Sequence, residues 1–113
     1  MRTKDLALHT APFNQIASGK KKTEYRDLKN LYYISTFCNV DSYTGKSLEQ
    51  VRDGLLNGSL TFRPSGYTHL RFHNTGRTCL VEIKGFRIDR KNKLLCIDLG
   101  KVLSGKAVSN VPE

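Results

Sequence analysis

Apolar positions along this chain recur with a period that switches between two and nearly four, and the switches mark out its elements. Leu6 and Leu8 are interleaved with Asp5, Ala7 and His9, which predicts a short strand with one buried face. Thr10 is placed to cap a helix that tolerates Pro12 in its first turn, shows Phe13, Ile16 and Ala17 on one side, and stops at Gly19. From Lys22 to Arg26 the chain reads as extended. Asp27 then precedes Leu28, Leu31 and Tyr32, whose spacing predicts a second short helix with Asp27 as its cap.

Residues 35–46 are rich in Ser, Thr, Asn, Asp and Gly and read as a loop. Ser47 and Gln50 have the spacing of a capping box, and Leu48, Val51 and Leu55 line a helix that ends at Asn57-Gly58. Leu60 to Phe62 is too short to assign, and Pro64-Ser65-Gly66 reads as a turn. Period two returns from Thr68 to His73, with Leu70 and Phe72 on one face and His69, Arg71 and His73 on the other. Asn74-Thr75-Gly76 supplies a hairpin turn. The strand from Thr78 to Ile88 has Cys79, Val81 and Ile83 inward and must change parity near Gly85. After a polar turn, Leu94 to Leu103 is apolar on both faces, as a central strand is. Residues 104–113 lack periodicity and are expected to form a flexible tail.

About five strands with short helices in the connections predict an α+β domain, a small mixed sheet or partly closed barrel spanning residues 1–103. Its 113 residues suffice for one core. No apolar run approaches the ~20 residues that span a bilayer, so no membrane partner is expected. Cys38, Cys79 and Cys96 form an odd set without metal-ligand spacing. They are read as reduced thiols in a cytoplasmic protein, with Cys38 the most exposed.

Charge changes the picture. Nineteen basic residues against ten acidic ones give a formal net charge of +9, which favours a polyanionic partner. The excess lies in two blocks: Arg2 to Lys29, and Lys84 to Lys106. In the first, Lys20, Lys21 and Lys22 lead into Glu24 and Arg26. On an extended segment Lys22, Glu24 and Arg26 share one face, a cationic rim with one carboxylate. Arg26 would hold a phosphate or base carbonyl through its planar fork, with Lys21 as a point charge and Glu24 either fixing Lys21 or accepting from a base amino group. The same residues also fit a solvated lysine turn and a structural ion pair. His69 and His73 would lie ~13 Å apart on a strand, too far to share a metal ion. With Arg71 they offer planar groups for bases or phosphates instead, or simply a solvent-facing strand surface, and Asn74 belongs either to that site or to the turn alone. Glu82, amid apolar neighbours, is either the acid of a cleft or the partner of Arg71 or Lys84.

Taken in order, the first strand, the helix from Pro12 to Ser18, the run Gly19-Lys20-Lys21-Lys22-Thr23-Glu24-Tyr25-Arg26, Phe72 and Asn74 before a hairpin, Val81-Glu82-Ile83-Lys84-Gly85, and the closing Leu99-Gly100-Lys101-Val102-Leu103 resemble an ASCH domain over residues 4–103. The resemblance implies a PUA-like fold, a small β-barrel with helices at its ends, whose cleft receives RNA or a modified nucleoside without a cofactor. Gly19, Lys21, Glu24 and Arg26 match the signature, and Lys22 stands where threonine is more usual. Some family members are amidohydrolases that deacetylate acetylcytidine with a lysine, a threonine and a glutamate, and others are described as ribonucleases. Lys21 matches that lysine, Glu24 occupies the threonine position, and a short turn replaces the segment that carries the glutamate. Resemblance and charge pattern together lead to expected nucleic-acid contacts from Lys20, Lys21, Lys22, Arg26, His69, Arg71, His73 and Asn74. Its alternative is a small hydrolase centred on Lys21 and Glu24.

Overall fold

The computed structural model describes residues 1–41 and 45–105. Its elements are β1 (Thr3–Ala7), α1 (Thr10–Ala17), β2 (Thr23–Asp27), α2 (Leu31–Phe37), β3 (Cys38–Val40), α3 (Leu48–Asn57), β4 (Phe62–Pro64), β5 (His69–Asn74), β6 (Arg77–Asp89) and β7 (Leu94–Ser104). The architecture is α+β, with a five-stranded mixed sheet of order β1-β5-β6-β7-β2 and a separate β3-β4 pair. Two compact units share these elements. One comprises Met1–Glu24, Tyr67–Lys84 and the chain from Asp98; the other comprises Tyr25–Gly66 and Gly85–Ile97. The tail expected from residue 104 lies, from 106 onward, outside the described residues, and Ser104 itself closes β7.

In the first unit, β1 runs parallel to β5, with Leu6 opposite Phe72. Antiparallel β6 places Val81 opposite Leu70 and Cys79 opposite Phe72. These side chains are buried with Phe13, Ile16 and Ala17 of α1. Each fully buried large apolar side chain contributes roughly 1.5–3 kcal/mol, so the period-two pattern is enforced by burial. The β5-β6 connection is Thr75-Gly76, both with positive φ (40° and 77°), as a two-residue hairpin matched to strand twist requires. Thr10 does not cap α1. The N-cap is His9, in an extended conformation and without a side-chain cap bond. Asn74 instead braces this corner, its Nδ2 donating to the Leu8 carbonyl at 2.9 Å and to Thr10 Oγ1 at 3.4 Å.

In the second unit, Leu28, Ile34, Phe37, Cys38, Val40, Val51, Leu55, Leu95, Cys96 and Ile97 are buried. Asp27 closes β2 rather than capping α2, and its Oδ1 accepts the Lys29 N–H at 2.8 Å. The cap is Asn30, whose Oδ1 accepts from Tyr32 N–H at 3.0 Å. Residues 35–40 are not a loop: α2 continues to Phe37, and β3 pairs antiparallel with β4, while residues 42–44 of the expected loop lie outside the described residues. The polar Ser35, Thr36 and Asn39 hide a buried set of Ile34, Phe37, Cys38 and Val40. Cys38 is accordingly inside, and burial pushes its thiol up to about 12. The capping box of α3 forms as expected, with Ser47 Oγ and Gln50 Oε1 each accepting the other residue's N–H. Strand β6 runs unbroken from Arg77 to Asp89 through Gly85. Val81 points into the first unit's core, whereas Phe86 meets Phe37 with ring centroids 5.8 Å apart in the second. Among the described residues no helix is long and apolar enough to cross a membrane.

Candidate nucleic-acid interface

The lysine run begins where α1 ends. Gly19, at φ 80°, gives its N–H to Ile16 O at 3.0 Å, and the Lys21 N–H reaches Gln15 O at 2.9 Å. These bonds satisfy helix-terminal carbonyls and turn the chain sharply. One residue later the Lys22 carbonyl accepts the Leu99 N–H at 2.8 Å. With Leu28 N–H bonded to Lys93 O in the opposite chain sense, β2 and β7 lie antiparallel.

Pinned on both sides, the three lysines diverge. Lys20 is exposed. Lys21 folds back, its Nζ donating to Glu24 Oε1 at 2.9 Å, and Glu24 is only 3% exposed. Lys22 lines a cleft. This cleft has a volume of about 730 Å³ and lies within the first unit, between the turn after α1 and the facing stretches of β6 and β7. Ser18, Gly19 and Lys22 form one wall; Glu82, Ile83 and Lys84 of β6 and Leu99 to Val102 of β7 form the rest.

The two basic blocks therefore meet. Lys22 comes from the first, Lys84 and Lys101 from the second, and all three line one hollow. Among the described residues no hydrogen bond or ion pair engages their ammonium groups. One carboxylate accompanies them: Glu82 Oε1 accepts the Lys101 backbone N–H at 3.1 Å. Gly100 keeps the space beside it open, since a Cβ there would lie 3.2 Å from both Glu82 Cβ and Lys84 Cγ. Ile83, Leu99 and Val102 add apolar surface. Three cations, one fixed acceptor and an apolar wall suit a ligand with phosphate, a hydrogen-bond donor and a flat ring.

The other sequence-derived residues are not among those that line this cleft. Arg26 is in the second unit, where its NH1 donates to Tyr33 Oη at 2.8 Å and its guanidinium lies 5.3 Å from that ring's centroid. His69, Arg71 and His73 do share the outward face of β5. Cross-strand register puts His69 opposite Glu82, and its Nδ1 lies 2.7 Å from Thr68 Oγ1. Arg71 NH1 and His73 Nε2 converge on Asp5 Oδ1 at 3.3 and 2.6 Å. The His73 hydrogen bond, followed by the Arg71 charge, holds the Asp5 carboxyl below its usual range. Among the described residues no group of three His, Cys, Asp or Glu side chains could hold a metal ion. Lys84, Lys101 and Gly100 were not singled out as site residues from the chain. The signal that could have found them is the second basic block itself, but charge along a chain does not say which side chains meet.

Comparison with known proteins finds no matching family model, no matching curated protein and no matching solved structure.

Proposed function

We propose that this chain is an ASCH-type domain of PUA-like barrel fold that binds RNA or a modified nucleoside in the cleft between the α1 turn and strands β6 and β7. One observation carries the reading: three lysines from segments about sixty and eighty residues apart line a single concave surface. Among the described residues no carboxylate pairs with these three lysines, whose like charges repel one another and gain by meeting phosphate. The order of motifs along the chain agrees with it. The hydrolase alternative rests on Lys21 and Glu24, which pair with each other and do not line this cleft; binding is the reading preferred here.

The test is the affinity of a short single-stranded RNA as a function of salt. Log affinity is expected to fall with log salt concentration at a slope of about 0.7 per phosphate contacted. The combined variant Lys22→Ala, Lys84→Ala and Lys101→Ala is expected to flatten that slope. Equal slopes for the variant and the parent chain would remove the cleft from the account.

A further inference from the structure

Resting on that reading of the cleft, we propose that Glu82 selects its ligand, favouring nucleic acid whose bases carry an exocyclic amino group over strands that offer only phosphate. A carboxylate in a cleft lined by lysines is a disadvantage for a site that needs only anions, because it repels a phosphate bound there. Here it is also held in place. Glu82 Oε1 accepts the Lys101 N–H at 3.1 Å, which restricts the side chain's rotation. Oε2 takes no hydrogen bond among the described residues, although lysines 84 and 101 line the same hollow. On the β7 side the residue is Gly100, so no side chain stands against Glu82 at that position, while His69 lies opposite it on β5, and Leu99 and Val102 supply apolar surface nearby. A fixed acceptor beside room for a flat ring is the arrangement that reads an amino donor. The lysines hold phosphate, and Glu82 sets which base sits between them.

Replacement by glutamine sharpens the test. Glu82→Gln keeps the size of the side chain and its Oε1 acceptor for the Lys101 N–H, so the group that faces the cleft becomes an NH2 donor. Acceptor is thus exchanged for donor with one negative charge removed. The experiment measures binding of five-nucleotide single strands by fluorescence anisotropy at fixed salt. Adenine strands are compared with unsubstituted-purine strands, and cytosine strands with 2-pyrimidinone strands, each pair differing only in the amino group. An abasic strand with the same phosphates is the anion control. The parent chain is expected to favour the amino-bearing strand of at least one pair by about tenfold, and the abasic strand least. In Glu82→Gln that preference disappears and the abasic strand binds more tightly than it does to the parent chain. Equal affinity within both pairs, or a preference that survives in Glu82→Gln, overturns the assignment while leaving the cleft a phosphate site. Absence of binding by every strand, or binding unchanged in Lys22→Ala with Lys84→Ala, overturns the cleft reading and this one together. Thermal melting of Glu82→Gln at the parent temperature separates altered selectivity from altered folding.

Discussion

Lys21 Nζ lies 2.9 Å from Glu24 Oε1, while Lys22, its neighbour in the chain, lines the cleft. Two adjacent lysines thus have opposite tasks, one in stability and one at the proposed site. Replacing Lys21 with alanine takes an ammonium away from a buried carboxylate. The loss is expected to be about 1–2 kcal/mol, in the lower part of the range for charged partners because the Lys21 side chain keeps 26% of its exposure. Lys22→Ala is expected to change stability by less than about 0.5 kcal/mol. Urea denaturation of both variants measures this, and an equal loss in the two would contradict the division.

A glycine inside α3 offers a test of sign. Exchanging a helical glycine for alanine ordinarily stabilises by up to about 1 kcal/mol. At Gly54 the added Cβ would sit 2.4 Å from Leu60 Cδ1 and 2.5 Å from Leu60 Cγ, in a corner closed by the Leu60 N–H to Gly54 O bond of 3.0 Å. Gly54→Ala is therefore expected to destabilise, by about 1–3 kcal/mol, because most of the Leu60 side chain must move. A rise in melting temperature would show that this corner is loosely packed.

The β5-β6 turn is under strain that a single exchange relieves. Thr75 is a β-branched residue at φ 40°. Asparagine tolerates that region better, and Asn-Gly is the favoured pair for such a hairpin. Thr75→Asn is expected to raise stability by about 0.5–1 kcal/mol in a denaturant titration. A loss would mean that the threonine makes up for its backbone strain elsewhere.

Acid sensitivity should trace in part to Asp5. Its carboxyl is held low first by the His73 hydrogen bond and then by the Arg71 charge. The folded state thus releases this proton more readily than the unfolded chain. The resulting stabilisation is fully present above the ordinary aspartate range, near pH 4, and is lost as pH falls through the lower folded value. Asp5→Asn should lose stability at neutral pH and show a flatter decline below about pH 4 than the parent chain. Parallel profiles would exclude this cluster as a source of acid sensitivity.

Much of this fold was legible because burial imposes a period. The alternation around Leu70 and Phe72 and the capping box at Ser47 both appear in the structure where the chain predicts them. The misreadings are local. Thr10 and Asp27 looked like caps because both residue types favour that position, but His9 and Asn30 occupy it. Cys38 looked exposed because its polar neighbours masked a strand only three residues long. At the site, composition announced the basic character, but which lysines meet depends on the pairing of β6 with β7. That pairing brings Lys84 and Lys101 to Lys22, while a bond within the turn draws Lys21 toward Glu24.

The most direct test of the cleft is residue-resolved. Backbone amide resonances of the isotope-labelled chain, followed by NMR during titration with a short single-stranded RNA, report which residues feel the ligand. The account predicts the largest shifts at Lys22, Glu82, Gly100 and Lys101, diminishing as salt is raised. Shifts confined to residues outside that hollow, with those four amides unmoved at saturation, would contradict it.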